Sequence, residues 1–414
     1  MDYDVIVVGG GPAGSSCSIF LGKKGIKTLL VDKAFFPRDK ACGDGVTGKS
    51  VNMIEELGVK DKIDKLPHER LMGFITSASG GVKISYMGND KDPGYTCKRY
   101  LFDNELFQLA REKVDVIENF TVTDILMDGN KVTGIKGTGN DGKEKQFTSN
   151  IVVGADGANS IVARKLGLNS FETDKCYVSI RAYYENVDIR HDSLEIHFMD
   201  EVLPGYFWIF PVGNNVCNVG LGLVAEEIPK RKINLKSLLD EIVKSSYVAD
   251  KFKDSRQVSE IKGWNLPTGA QKRKRAGDGF ILIGDAASLI IPFTGEGIGN
   301  ALVSGKLAAN TISNAIAKND FSYSITKEYE KSVETAMNDE FRTNQTVMNI
   351  LENRMLFKSF MMEIGKKTEY LTAFSAFITA KTEKVKLPLD LLAKIAFRYL
   401  ANLTGLAKDF KKTI

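Results

Sequence analysis

Three glycines, Gly9, Gly11 and Gly14, with Pro12 and Ala13 between the last two, form a Gly-x-Gly-x-x-Gly run. Backbone amides in such a run can meet a phosphate with no side chain in the way, and a helix that begins there turns its positive end toward the anion. Asp32 follows Gly14 by 18 residues, with Lys33 beside it. A carboxylate at that spacing can accept a hydrogen bond from a ribose hydroxyl. The chemistry implied is dinucleotide binding, with a tight structural turn as the alternative for the glycines alone. The pattern serves more than one dinucleotide, so the choice between them rests on other residues.

Those residues are Arg99-x-x-Phe102-Asp103-x-x-Leu106, Gly154-Ala155-Asp156-Gly157-Ala158-Asn159-Ser160, Gly284-Asp285-Ala286-Ala287 and the loop Pro292 to Gly299. In that loop Gly295 and Gly297 permit close backbone approach to a flat ring, and Ile298 opens a helix whose N-terminus can stabilise negative charge. Asp156 also reads as a turn acid, since Asp-Gly is common in turns. In order and spacing the four segments resemble the signatures of the p-hydroxybenzoate hydroxylase-like flavoprotein superfamily, which implies FAD rather than NAD. The resemblance further implies that Asp285 bonds the ribityl or diphosphate region, that Arg99 contacts the phosphate-ribityl side, and that residues 292–299 lie beside the isoalloxazine.

On the substrate side, Tyr206, Trp208 and Phe210 recur at period two, which places three aromatics on one face of a strand. Such a face suits a long apolar pocket or, equally, an ordinary sheet core. The segment from Leu203 to Pro211 resembles the YxWxFP element of geranylgeranyl reductases, and Lys40-Ala41-Cys42-Gly43 resembles their Lys-x-Cys-Gly element. By that resemblance, which covers roughly residues 1–310, Cys42 and Gly43 lie near the flavin, and Cys42, Tyr206 and Trp208 are the candidate catalytic residues. Tyr206, Trp208 and Phe210 are the candidate substrate contacts. Cys42 also reads as a buried inert thiol.

The elements that must position these groups follow from periodicity. Tyr3–Val8, a helix to Lys24 and Thr28–Val31 read as β-turn-α-β. A strand near 114–117 precedes a meander at 121–127, 130–136 and 145–148, and short apolar runs at 151–154 and 280–284 end in glycine. Segments at 71–76, 82–87, 177–184, 194–198, 207–211 and 216–223 read as an antiparallel substrate sheet. The fold class is α/β (α+β overall). The expected domains are a discontinuous Rossmann-like FAD-binding domain (1–70, 99–165, 276–320), a substrate domain (71–98, 166–275) and a helical C-terminal region (321–414).

Composition sets bounds on function. The net charge is +4 over 414 residues, which gives no reason to expect nucleic acid as a partner. Five cysteines without a CxxC pair fit a reducing compartment, and a cytoplasmic location is expected. No metal-ligand spacing appears among the three histidines, and His68, His191 and His197 read as solvated or satisfied. Lys272-Arg273-Lys274-Arg275 reads as a solvated loop, with contact to NADPH phosphate or lipid headgroups as the alternative. Between Lys381 and Ile414 eight basic residues face three acidic ones, and 387–399 alternates leucines with Lys394 and Arg398. That segment can lie on a membrane surface, pack in the core or dimerise.

The leading expectation is reduction of carbon–carbon double bonds in a polyprenyl lipid, quinone or diphosphate. Electrons would come from NADPH, NADH or a reduced protein such as ferredoxin. The alternatives are a flavin-dependent monooxygenase or halogenase and a non-catalytic electron carrier or lipid-binding protein. Related halogenases carry Trp-x-Trp-x-Ile-Pro, from which Tyr206 and Phe210 depart.

Overall fold

The computed structural model describes residues 1–78, 81–87, 94–378, 388 and 390–395. Val5 to Val8 are buried without alternation, as expected of a strand inside a parallel sheet covered on both faces. Tyr3–Val8 pairs in parallel with Thr28–Val31 and with the end of Glu144–Gly154, and Asp115–Ile117 and Phe280–Leu282 extend the parallel set on either side. The strands read at 145–148 and 151–154 are one eleven-residue strand. Its first half pairs antiparallel with Lys131–Thr138 and its second half in parallel with Tyr3–Val8, so one strand carries the meander into the nucleotide sheet.

The helix Pro12–Lys23 lies against the long helix Ile298–Lys318, drawn close by small residues. Ser16 donates to the Leu302 carbonyl at 2.8 Å, and a Cβ at Gly305 would lie 2.5 Å from the Ala13 carbonyl oxygen. This contact ties the chain's first helix to one almost 300 residues later.

The second sheet runs in the order Arg256–Gln257, Cys176–Glu185, Val216–Val224, Gly205–Pro211, Ser193–Phe198, Gly73–Ala78, Val82–Met87, and Lys262–Pro267 also pairs with Cys176–Glu185. It is not wholly antiparallel as expected: Ser193–Phe198 runs parallel to Gly73–Ala78. The chain between them passes through the nucleotide sheet, a connection long enough for a parallel return. Gly94–Thr96 does not join this sheet but pairs with Gly45–Val46 and Glu69–Leu71. One face of the second sheet packs under Leu239, Ile242 and Phe252, from the short helices Leu235–Val243 and Ala249–Phe252, which the sequence reading did not place. The other face meets the C-terminal helices.

After residue 297 the described chain is helical: Ile298–Lys318, Tyr323–Glu352, Arg354–Ile364 and Thr368–Ile378. Leu391 and Ile395 are fully or almost fully buried in one cluster with Tyr370 and Phe374, so one face of the described part of 387–399 packs in the core while Asp390 and Lys394 stay exposed. The rest of the basic stretch lies outside the described residues. Among the described residues no helix is long and apolar enough to cross a membrane.

Gly305→Ala is expected to lower stability by about 1–3 kcal/mol, the usual range for overpacking a tight contact, measured by urea denaturation. Because the displaced atom belongs to Ala13, dinucleotide retention during gel filtration should fall with it.

Candidate active site

A cavity of about 890 Å³ runs between the two sheets. At one end it is lined by Gly9, Gly11, Pro12, Ala13, Asp32, Lys33, Asp156 and Gly157. The helix starting at Pro12 has no side-chain cap, so its first amides face the cavity as unsatisfied donors. A Cβ on Gly11 would meet only an Arg38 guanidinium nitrogen, at 3.5 Å, leaving a cradle for a phosphate. Asp32 accepts from Gly10 N at 2.6 Å and Ala34 N at 2.8 Å, which fixes its carboxylate at the cavity edge. A second helix, Ile298–Lys318, presents Gly297 and Ile298 to the same cavity, with only its Gly299 N taken by a side chain, the Glu296 carboxylate at 2.7 Å. Two helix N-termini, a cradle without side chains and a held carboxylate together fit a dinucleotide cofactor.

Most expected site residues converge here. Cys42, Gly43, Arg99, Asp285, Gly295, Tyr206, Trp208 and Phe210 all line the cavity with those already named. Gly14 and Gly284 lie behind the wall: a Cβ on Gly14 would fall 1.8 Å from the Gly9 carbonyl oxygen, and one on Gly284 2.9 Å from the Ala13 Cβ. They seat the first helix. Asp156 lines the cavity and also serves its own turn, accepting from Ser160 Oγ at 2.5 Å and Ile161 N at 2.6 Å, so the turn-acid reading is realised as well.

Arg99 is held in a fork by Asp103, at 2.6 and 2.8 Å, and Arg38 meets the same carboxylate at 2.8 Å. Burial alone would raise the Asp103 carboxyl, but the two guanidinium groups outweigh it and hold it below the ordinary range. The run 272–275 is only half solvated. Lys272 and Lys274 point outward, whereas Arg273 donates to the Ala286 carbonyl at 3.0 Å and Arg275 to that of Ala287 at 3.2 Å. These arginines brace the turn that carries Asp285. Alternation within a four-residue cationic run was the available signal. His197 is buried and satisfied, by Ser77 at 2.7 Å and Glu195 at 3.2 Å.

The substrate side is a grid set by strand register. Arg181 pairs with Lys262 and Gly220, and Gly220 with Trp208; one step along, Ser179 pairs with Trp264 and Gly222, and Gly222 with Tyr206. Side chains two apart share a face, so the wall passes from cationic and indole groups at one edge, over two glycines, to aromatic groups. Leu194, Ile196 and Phe198 continue it. A Cβ on Gly220 would lie 2.4 Å from the Trp208 ring, so the indole lies flat on that strand only over glycine. Tyr206 donates its hydroxyl hydrogen to the Thr294 carbonyl, joining the wall to the 292–299 loop. Burial pushes its pKa up, and the phenol stays protonated at neutral pH. The aromatic strand is thus both cavity wall and part of a core cluster.

Three groups were not read from sequence. Trp264 lines the cavity and carries Lys40 Nζ 3.6 Å above its ring. Burial lowers Lys40 to about 7, with Asp285 opposing the shift. Asn218, fully buried in an otherwise apolar strand, accepts from Trp208 Nε1 at 2.9 Å; a lone amide in such a run was its signal, because buried polar groups need partners. Glu296 is half-buried at the cavity wall, accepting from Gly299 N at 2.7 Å and Ser50 Oγ at 3.4 Å, and the desolvation there pushes its carboxyl up to about 7.

The model of a family described as FAD binding domain matches residues 2–315. Digeranylgeranylglycerophospholipid reductase 1 of Methanococcoides burtonii is 31% identical over 355 residues, 83% of this chain and 83% of that protein. The digeranylgeranylglycerophospholipid reductase of Methanocaldococcus jannaschii is 33% identical over 337 residues, 80% of this chain and 81% of that one. Among solved structures, a geranylgeranyl bacteriochlorophyll reductase-like protein from Thermoplasma acidophilum superposes with a TM-score of 0.82 at 25% identity, over 98% of each chain. A flavin-dependent brominase shares the fold, with a TM-score of 0.77 at 22% identity over 98% of this chain and 99% of that one.

Glu296 generates a pH prediction. Its folded pKa of about 7 lies above the ordinary 4.5, so the folded state binds the proton more tightly than the unfolded chain. Stability then falls as pH rises from about 4.5 to about 7. Glu296→Gln is expected to be more stable than the parent by about 1–3 kcal/mol at pH 8 and no more stable at pH 4, in urea titrations at both values.

Proposed function

This chain belongs to the geranylgeranyl reductase family of FAD-dependent oxidoreductases, and from that premise we propose that it saturates carbon–carbon double bonds in the polyprenyl chains of a membrane lipid. The observation that carries the reading is the single cavity joining the FAD-binding cradle to the aromatic wall of Tyr206, Trp208 and Phe210. The relatives named for digeranylgeranylglycerophospholipid support an archaeal-type ether phospholipid as the substrate class.

FAD, when reduced, supplies the hydride equivalent for such a reaction. Gly9, Gly11, Pro12, Ala13, Asp32, Lys33, Arg99, Asp156, Gly157, Asp285, Gly295, Gly297 and Ile298 would hold it, with Gly14 and Gly284 supporting that set from behind. An isolated alkene has no carbonyl to absorb charge, so the surrounding residues must meet what develops. The Trp208 and Phe210 rings orient the chain and offer aromatic faces to positive character on carbon. Tyr206, protonated and fixed by the Thr294 carbonyl, and Cys42 are the groups that can hold a proton beside the alkene. The packed aromatics exclude water from around the alkene.

The electron donor is a further part of the proposal. Among the described residues there is one dinucleotide fold, so NADPH or NADH docks transiently or a reduced carrier protein such as ferredoxin delivers electrons. Peripheral contact with the inner membrane face follows from where the lipid resides, and the basic tail beyond 380 suits it. The division into FAD-binding, substrate and C-terminal helical units belongs to the same reading.

Photoreduced enzyme incubated without oxygen with an unsaturated archaeal-type phospholipid is expected to yield a product heavier by two hydrogens per flavin reoxidised, detected by mass spectrometry. Under air and bromide, a product that gains oxygen or bromine would overturn the assignment in favour of monooxygenase or halogenase chemistry. Tyr206→Phe is expected to lower kcat by about 10²-fold, the size of a lost proton donor. Replacing Lys408, Lys411 and Lys412 by Gln should weaken co-sedimentation with anionic vesicles; unchanged sedimentation removes the tail from the membrane proposal.

A further inference from the structure

Gly43 packs directly on the substrate wall: a Cβ there would lie 3.2 Å from the Phe210 ring and 3.8 Å from Trp208 Nε1. What holds the loop against the wall is a polar cluster that no motif describes. Asn218 accepts from Trp208 Nε1 at 2.9 Å, and its Nδ2 donates to the Cys42 carbonyl at 2.6 Å and to Asp44 Oδ2 at 2.8 Å. Asp44 also accepts from Tyr183 Oη at 2.7 Å and from Arg99 N at 3.1 Å. Both Asn218 and Asp44 are fully buried.

The orientation of the amide has one solution. An indole N–H only donates, so the Asn218 oxygen must face Trp208; the NH₂ then faces a carbonyl and a carboxylate, both acceptors. Every hydrogen on that nitrogen has a named acceptor, and a flipped amide would set donor against donor. A buried network this completely satisfied admits one geometry, because any slip leaves a buried polar group without its partner. Arg181 supports the loop a few residues earlier, bonding Asp39 at 2.7 Å, with Lys262 on the same carboxylate at 2.7 Å.

We propose that Asn218, anchored by Asp44, is a positioning residue that locks the Cys42–Gly43 peptide to the Trp208 side of the substrate wall and so sets how the two halves of the active site face each other. The inference rests on the reductase reading for its consequence in catalysis, but its geometry does not. Misplacing a site wall by about 1 Å costs on the order of 10²-fold in rate while leaving remote binding contacts intact. Loss of Asn218 therefore acts on kcat more than on KM.

The cysteines supply a readout independent of turnover, since Cys42 is partly exposed and the other four are buried. In the FAD-loaded protein, Asn218→Ala is expected to speed iodoacetamide labelling of Cys42 at least tenfold, to lower kcat for the lipid 10- to 100-fold, and to leave KM within threefold. The double exchange Asp44→Asn with Asn218→Asp returns one carboxylate and one amide to the cluster. It leaves the Cys42 carbonyl without its donor, so the exchanged protein should retain FAD and still show fast labelling and low kcat. Labelling and kcat at parental levels in Asn218→Ala, or in the exchange should the alanine variant not fold, would overturn the proposal. If the parent protein fails to reduce the lipid, the function is wrong, while the labelling rates still decide the role of Asn218.

Discussion

Everything on the cofactor side depends on two helix N-termini that end on one cavity. Backbone donors at a helix start require partners: no side chain caps Pro12–Lys23, whose first residue has no N–H, and at Ile298–Lys318 the Glu296 carboxylate takes only Gly299 N, at 2.7 Å. Their convergence requires the two helices to touch almost backbone to backbone, which Gly305 and the small residues of the first helix allow. A fold that brings residues 12 and 298 together this way leaves paired positive ends that an anionic cofactor satisfies.

The substrate sheet solves a different problem, which is to be polar enough to orient and apolar enough to hold a hydrocarbon. Its register sorts these demands by strand. Lys262 and Arg181 stand at one edge, Gly220 and Gly222 leave a shallow floor, and Trp208, Tyr206 and Ile196 close the far side. Burying Arg181 and Asp44 there is costly, and partners offset part of the cost: Asp39 for the first, Tyr183 and Asn218 for the second. Those same partners connect the sheet to the loop bearing Cys42, so the electrostatics of burial and the placement of the site are one arrangement.

Local pattern carried much of this. The β-turn-α-β opening, the meander, most strands of the second sheet and the helical run after 297 were all legible, because alternation and glycine placement are local properties. The convergence of Arg99, Asp156, Asp285 and the 292–299 loop followed from resemblance. Less legible were the short helices on the outer face, the parallel pairing of Ser193–Phe198 with Gly73–Ala78, and the inward turn of Arg273 and Arg275. Each depends on a partner distant in the chain.

By itself, then, the sequence determined that a dinucleotide binds near the amino terminus and that three aromatics share a face, since backbone geometry and period two need no distant information. Only the tertiary structure decided which buried groups answer one another: Asn218 with Trp208, Cys42 and Asp44, Lys40 with Trp264, and Leu391 and Ile395 with the core rather than with a surface. The physical reason is that a buried polar atom or an apolar face states a need and not an address, and many positions could meet that need. Folding selects an arrangement in which these needs are met together.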